Sequence, residues 1–103
     1  MLVLDSHPGD SVGLHLLDGK QVHEQPTVQH KVLLPLDATV RLEVRVTPDT
    51  VELFVDEKPT FQWKGDPKQL SLQPEWEVPH KDWLFLASHF SDFQITMLTL
   101  SFP

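Results

Sequence analysis

Residues 39–56, TVRLEVRVTPDTVELFVD, decide the fold, because they predict a β-hairpin whose two arms can be paired residue by residue around Pro48-Asp49. The apolar pairs across this hairpin are Val46–Val51, Val44–Leu53 and Leu42–Val55. The charged pairs on the other side are Arg45–Glu52 and Arg41–Asp56. Because successive side chains of a strand point to opposite faces, one face of the hairpin is wholly apolar and the other mostly charged. This pattern predicts a sheet that covers a hydrophobic core.

Outside the hairpin, short alternating segments are separated by turn residues. Further strands are predicted at residues 1–5, 12–17, 27–34, 60–63, 83–88 and 93–102. Asp18-Gly19 predicts a tight turn, and residues 64–81 predict a long loop with a short helical turn near residues 66–70. The nine prolines interrupt most windows of helical length. About eight short strands in one domain, residues 1–103, indicate an all-β, antiparallel β-sandwich or jelly roll.

Composition excludes several classes of function. The net charge is −7 with eight basic residues, which argues against binding to nucleic acid or to an anionic membrane. The chain has no cysteine, so disulfides and thiolate metal sites are excluded. No apolar run reaches the roughly 20 residues of a membrane helix, and the first residues do not follow a signal-peptide pattern. The absence of cysteine suits a reducing compartment without assigning one, and no cofactor is predicted.

An ordered series of residues carries a family resemblance. It comprises residues 41–46 and 51–56, Trp63-Lys64-Gly65-Asp66, Leu70-Ser71, Trp76, Pro79 and Leu84-Phe85-Leu86, with Gly13-Leu14, Leu17-Asp18-Gly19-Lys20 and Gln25-Pro26-Thr27 upstream. The series resembles the concanavalin A-like lectin/glucanase (laminin-G-like) jelly rolls, in particular accessory domains of large planctomycete-type bacterial proteins. Asp56 is followed by Glu57 where the family pattern has glycine, so a different turn is expected there.

The resemblance implies a jelly roll and suggests glycan recognition. A full jelly roll of this family usually requires a longer chain, so an incomplete version is among the implied architectures. Some relatives are sugar hydrolases, similar to 3-keto-disaccharide hydrolase domains. The acidic motif of the glucanase branch and the terminal signature of the keto-disaccharide branch are not found in this sequence. No catalytic residue is therefore assigned.

The candidate ligand-binding residues lie in the loop at residues 64–81 and are Asp66, Glu75, Trp76 and His80. An indole can stack on the apolar face of a pyranose ring, and neighbouring polar groups can bind its hydroxyls. The alternative is that Trp76 pins the loop to the sheets, while Trp63 and Trp83 close the ends of the sandwich.

Two other kinds of site, a histidine metal site and a pair of catalytic glutamates, are less well supported by the sequence. The six histidines include His15 and His23, which could face each other across a turn, but their spacing matches no zinc motif, and no metal is predicted. Glu43 and Glu52 could line a concave sheet as a glycosidase pair. Surface stabilisation by neighbouring arginines is the favoured interpretation, since Glu52 is paired with Arg45.

Three functions follow from the sequence. The preferred one is a non-catalytic binding or accessory module that recognises carbohydrate through the loop and the outer face of the hairpin sheet. The second is a structural or protein-interaction module, completed by another segment of a parent protein or by a homodimer, because an incomplete sandwich leaves strand edges open. The third is a sugar hydrolase.

Overall fold

The computed structural model describes residues 1–6, 10–21, 24–25, 29–71, 74, 85–88 and 92–101. Within these residues the chain forms six β-strands and a short 3₁₀ helix, and no α-helix. The strands are β1 (Leu2–Ser6), β2 (Ser11–Leu14), β3 (Gln29–His30), β4 (Leu42–Val46), β5 (Thr50–Val55) and β6 (Lys58–Lys64). They form two antiparallel sheets in the orders β1-β2-β3 and β4-β5-β6. The all-β prediction is confirmed.

The register of the β4–β5 hairpin is the one that the sequence predicts. Leu42 pairs with Val55, Val44 with Leu53, Arg45 with Glu52, and Val46 with Val51. Beyond the strand ends, the Asp56 backbone N–H donates to the Arg41 carbonyl at 2.8 Å, and the Thr47 N–H donates to the Thr50 carbonyl at 3.0 Å. Turn length and alternation together specify this pairing, because a slip by one residue would move every apolar side chain to the charged face.

The arginines of this hairpin use different partners from the expected ones. Arg45 Nε donates to Glu43 Oε1 at 2.9 Å on the same strand. Arg41 Nη1 lies 3.4 Å from Glu57 Oε1. The Asp56 carboxylate instead accepts the backbone N–H of Arg41 at 3.0 Å. A long guanidinium reaches residues two positions along the same face, so backbone register alone does not select its partner.

The β5–β6 connection is a two-residue turn at Asp56 and Glu57, whose φ angles are 48° and 71°. Positive φ at both central residues matches a type I′ hairpin turn, the geometry that Asn-Gly or Asp-Gly sequences favour. Glu57 therefore occupies a backbone position that favours glycine, and whether this turn differs from that of the jelly rolls stays a prediction. Strand β6 begins at Lys58 and includes Pro59, two residues earlier than the predicted start of that strand.

The first sheet is shorter and less regular. Strands β1 and β2 pair through Leu2–Leu14 and Val3–Gly13, with a register shift further along. β3 is only two residues long, where the sequence predicts a strand over 27–34. The segment after it is held by Asp5, whose carboxylate oxygens accept the backbone N–H groups of Leu33 at 2.8 Å and Leu34 at 2.9 Å.

The hydrophobic core draws on both sheets. Its buried members are Val12, Leu14, Leu17, Leu33, Val51, Leu53, Phe61 and Trp63. Leu2, Leu4, Leu34, Val55 and Leu70 pack against them with part of their surface exposed. Strand β4 contributes no buried residue, since Leu42, Val44 and Val46 are 40%, 49% and 71% exposed. Within the second sheet, the apolar surface that is buried on folding therefore belongs mainly to β5 and β6.

The two strands predicted nearest the end of the sequence are wrong for the residues that the structure describes. Residues 85–88 and 92–101 are assigned to no strand. The apolar residues of the second segment are exposed, namely Phe93, Ile95, Met97, Leu98 and Leu100. Residues 83–84 and 102, which complete those predictions, lie outside the described part. A segment with an alternating pattern forms a strand only where a neighbouring strand pairs with its backbone N–H and C=O groups.

Candidate functional site

A cleft of about 390 Å³ lies where the end of β6 meets the turn after β2. Its lining residues are Leu17, Asp18, Lys20, Gln25, Gln62, Trp63, Lys64 and Gln69. We call it the Trp63 cleft. Its volume falls within the range of about 300–1,000 Å³ that is typical of small-molecule sites.

One wall of the Trp63 cleft is the tight turn between Leu17 and Lys20. The Leu17 N–H donates to the Lys20 carbonyl at 3.1 Å, and the Lys20 N–H donates to the Leu17 carbonyl at 2.9 Å. Asp18 and Gly19 have φ angles of 50° and 74°. Aspartate and glycine tolerate this left-handed conformation, so the predicted Asp-Gly turn is confirmed. The turn places the exposed Asp18 carboxylate on the rim of the cleft.

A second wall is formed by Gln69, the last residue of the 3₁₀ helix Pro67–Gln69, which confirms the helical turn predicted in the loop. Asp66 caps this helix, because its Oδ1 accepts the Lys68 N–H at 2.9 Å. The Asp66 N–H in turn donates to Gln69 Oε1 at 3.1 Å, completing a reciprocal capping box. Asp66, a predicted ligand-binding residue, is thus placed next to the cleft as the residue that orients Gln69.

Side-chain and backbone hydrogen bonds join the two walls. Gln69 Nε2 donates to Asp18 Oδ2 at 3.0 Å. The Asp18 N–H donates to the Gln69 carbonyl at 2.8 Å, and Leu16 and Ser71 exchange backbone hydrogen bonds of 3.1 and 3.2 Å. Both a carboxylate and an amide are therefore held at the rim by the same short ladder. Such preorganisation reduces the entropy that a ligand must remove on binding.

The base of the Trp63 cleft combines an indole with a buried amide. Trp63 is only 7% exposed, and Gly65 packs closely against it, because a Cβ at Gly65 would lie 2.6 Å from Trp63 Cζ2. Gln25 is 4% exposed, and its Nε2 donates to the carbonyls of Leu14 at 2.6 Å and Lys20 at 2.8 Å. The predicted packing role of Trp63 agrees with its burial, and the same residue also forms apolar lining in the cleft.

The charges around the Trp63 cleft are mixed. Asp18 carries a negative charge, Lys20 and Lys64 carry positive charges, and the other polar lining groups are the neutral amides of Gln25, Gln62 and Gln69. Amides offer both donors and acceptors, and carboxylates accept hydrogen bonds from hydroxyls. This set suits a neutral polyhydroxylated ligand better than a strongly charged one.

A smaller cleft of about 260 Å³ lies on the second sheet at its register shift between Leu53 and Phe54. Glu52, Phe54 and Gln62 line it, together with Gln29 from β3. Nearby, the Arg45 guanidinium lies 4.4 Å from the centre of the Phe54 ring. The outer face of the hairpin sheet, predicted as part of the recognition surface, therefore presents an aromatic ring beside polar groups.

The environment of Glu43 does not suit the general-acid role that one member of a Glu43–Glu52 glycosidase pair would need. Glu43 accepts a hydrogen bond from Arg45, and that contact lowers the pKa of the Glu43 carboxyl. A glycosidase general acid needs the opposite shift, because it must remain protonated to donate its proton. Among the described residues, no group of three or more histidine, aspartate or glutamate side chains is arranged to hold a metal ion. Of the two histidines predicted to face each other across a turn, His15 is buried and His23 lies outside the described residues.

Of the four predicted ligand-binding residues, Asp66 alone lies within the described part of the chain. Glu75, Trp76 and His80 lie outside it, so their proposed roles stay predictions. Asp18, Gln25 and Gln69 line the cleft but were not predicted from the sequence as ligand-binding residues. Two signals could have identified part of this group: the Asp-Gly turn, and the spacing Asp66-Pro-Lys-Gln69, which is that of a capping box.

Comparisons with protein-family models, with curated proteins and with solved structures found no match to this chain. The resemblance to concanavalin A-like jelly rolls therefore stays a hypothesis based on sequence. Among the described residues, no helix is long and apolar enough to cross a membrane.

Proposed function

We propose that this chain is a non-catalytic carbohydrate-binding module and that the Trp63 cleft binds a neutral sugar unit. The observation that carries the proposal is the composition of this preformed cleft. It combines apolar lining from Trp63 and Leu17 with three glutamine amides, one carboxylate and two lysines in a volume of about 390 Å³. Sugar recognition needs both kinds of surface, an apolar patch for ring C–H groups and fixed polar groups for hydroxyls.

The position of the cleft also supports the role predicted for the loop at residues 64–81. Gln69 belongs to that loop and lines the cleft, as does Lys64, the last residue of β6, from which the loop begins. Asp66 orients Gln69 from within the same loop. We propose that Trp76, with Glu75 and His80, extends the binding surface from this point by stacking on a second sugar unit. Jelly-roll membership and the accessory role in a larger protein are part of the same proposal.

The first experiment is a tryptophan-fluorescence titration with soluble neutral oligosaccharides and acidic oligosaccharides, with and without calcium. We expect a saturable shift with one class of neutral glycan, because Trp63 lies in the cleft. A flat response to every glycan from a folded sample would overturn the proposal.

A matched pair of variants localises the binding. Asp18→Asn removes the rim charge, whereas Asp37→Asn makes the same change at another exposed aspartate with positive φ, 57° against 50°. Asparagine tolerates this backbone conformation at both positions. Loss of a hydrogen bond to a charged group is expected to weaken binding about tenfold in Asp18→Asn. Equal affinity of the two variants would place the sugar elsewhere.

Trp76→Ala tests the proposed extension separately. If Trp76 stacks on a second sugar unit, this variant loses more affinity for longer oligosaccharides than for monosaccharides. The reason is that a monosaccharide bound in the cleft has no second ring for the indole to stack on. An equal effect on all chain lengths, or none, would count against stacking by Trp76 and leave the cleft assignment to the Asp18→Asn result.

A further inference from the structure

The second sheet has two edge strands, β4 and β6, and they differ in protection against pairing with another chain. β6 has Lys58 and Lys64 at its ends, Pro59 near its start, and a register shift opposite Leu53 and Phe54. Lysine, proline and bulges are the devices by which natural sheets block edge-to-edge association. The β6 edge is thus poorly suited to accept a further strand.

Strand β4 lacks the lysine, proline and register shift of β6, and its two charged residues, Glu43 and Arg45, are of opposite sign. Leu42–Val46 contains neither proline nor lysine, and it pairs with β5 at every residue without a register shift. Within the described residues β4 pairs with β5 alone. Its three apolar side chains are between 40% and 71% exposed. A regular edge with three exposed apolar residues, and without proline or a register shift, favours strand addition.

The backbone groups on the open side of β4 can be identified. Arg41 and Thr47, at the two ends of the strand, hydrogen-bond to the β5 side of the hairpin. In an antiparallel pair, positions that exchange hydrogen bonds alternate with positions that do not. Glu43 and Arg45 therefore bond towards β5, whereas the N–H and C=O groups of Leu42, Val44 and Val46 point towards the open edge.

The sequence of β4 is complementary to itself when read in the opposite direction. With a two-fold axis at Val44, Val44 faces the same residue of a second copy, and Leu42 faces Val46. Glu43 then faces Arg45 of the second copy on the other side of the sheet. The apolar residues fall at the hydrogen-bonded positions. The opposite charges fall at the positions without hydrogen bonds, where side chains lie closest.

We infer that β4 is a self-association surface, and that two copies of this chain pair antiparallel through it about a two-fold axis at Val44. The occupant is a second copy because the charges, the apolar pattern and the outward-pointing backbone groups, which pair with no other strand among the described residues, all match in this one register. Pairing joins the two β4-β5-β6 sheets into one continuous sheet and partly covers the exposed apolar rows. An interface that places the same patch on both subunits closes as a dimer and does not extend into a filament. The inference is independent of sugar binding, since the Trp63 cleft contains no β4 residue.

The test is sedimentation velocity on the full chain over a range of concentrations, using a charge-reversal pair. The wild type is expected to move towards twice the 11.8 kDa chain mass as concentration rises. Glu43→Arg places two positive charges opposite each other at both symmetric contacts, and Arg45→Glu places two negative charges there. Each variant alone is expected to dimerise about tenfold more weakly, or more weakly still.

An equimolar mixture of the two variants restores both ion pairs. Every position 43 of one variant then faces a charge of opposite sign at position 45 of the other. The mixture is expected to form a heterodimer with close to wild-type affinity. This rescue is specific to the proposed register, because a shifted or parallel arrangement does not bring positions 43 and 45 together.

Two further variants keep the inference falsifiable. Glu24→Arg is the matched charge control, because Glu24 is exposed and lies outside β4, and it is expected to dimerise as the wild type does. Val44→Lys puts a charge at the proposed axis and is expected to give monomers. A wild type that remains monomeric at every concentration, a dimer that survives in Val44→Lys, or a variant mixture without rescue would each overturn the inference.

Discussion

Val44 and Leu53 face each other across the β4–β5 hairpin, yet Leu53 has no exposed surface whereas Val44 is 49% exposed. The same contrast holds along the strands, since Val51 is buried and its partner Val46 is 71% exposed. Both arms have the same alternation and the same face directed to the core side. The difference shows that alternation alone does not decide burial, because the edge strand β6 buries Phe61 and Trp63 whereas the edge strand β4 buries none of its residues.

Among these predictions, the largest effect on stability is expected for Leu53→Ala, with Val44→Ala as its comparison. Leu53→Ala should lower the free energy of unfolding by about 2–5 kcal/mol, because it removes buried contacts and leaves a cavity. Val44→Ala should cost less than about 1 kcal/mol in the monomer. Urea unfolding measures both, and similar m-values would show that the unfolded states are comparable. Equal losses in the two variants would break the comparison.

Gly65→Ala tests the close packing at the end of β6. The added Cβ would lie 2.6 Å from Trp63 Cζ2 and from Gln69 Oε1, so we expect a loss of about 1–3 kcal/mol in stability. Gly19→Ala is the control, since a Cβ at Gly19 meets nothing within 4 Å and only its φ of 74° is unfavourable. Tryptophan fluorescence should shift in Gly65→Ala. A shift of the same size in Gly19→Ala would argue against direct contact with Trp63.

Glu57→Gly sharpens the comparison at the turn that joins the buried strands. Glycine has no Cβ and adopts positive φ readily, so this variant should gain about 0.5 kcal/mol in stability. The exposed contact of Glu57 with Arg41 is lost, but such surface pairs contribute little. Glu57→Ala loses the same contact and keeps a Cβ, so thermal unfolding should show no gain for it. A gain of equal size in both variants would refute the backbone explanation.

The smallest expected effect is on the pKa of Glu43, on the exposed strand β4. Arg45 lowers the pKa of Glu43 through their hydrogen bond, from its usual 4.5. A carboxyl with a lowered pKa in the folded state stabilises the fold above its unfolded pKa, and this contribution is lost as pH falls through the folded pKa. NMR titration of the Glu43 carboxyl should show a higher pKa in Arg45→Gln than in wild type. No difference between them would mean that the contact is not maintained in solution.

Local sequence was sufficient to predict the hairpin, because its register depends only on nearby residues. Pro48-Asp49 sets the turn and the alternation of Val51, Leu53 and Val55 sets the face. The Asp18-Gly19 turn and the helical turn after Asp66 were predicted for the same reason, since each depends on the backbone preferences of a few consecutive residues.

The candidate site could be predicted only in part. Asp66 was predicted as a ligand-binding residue of the loop, and its contacts with Lys68 and Gln69 make it a helix cap beside the cleft. The approach of Gln69 to Asp18 joins residues that are 51 positions apart in sequence. No local pattern specifies such a contact, which depends on the pairing of residues 16–18 with residues 69–71.

The sequence by itself determined the all-β class, the hairpin register and the tight turns, because alternation and turn chemistry act over a few neighbouring residues. The tertiary structure alone decided which hairpin arm is buried, which charges meet Arg45, and where a cleft opens beside Trp63. It also decided that residues 92–101, despite their apolar pattern, form no strand. The physical reason is the same in each case, since burial and strand pairing require partners from distant parts of the chain.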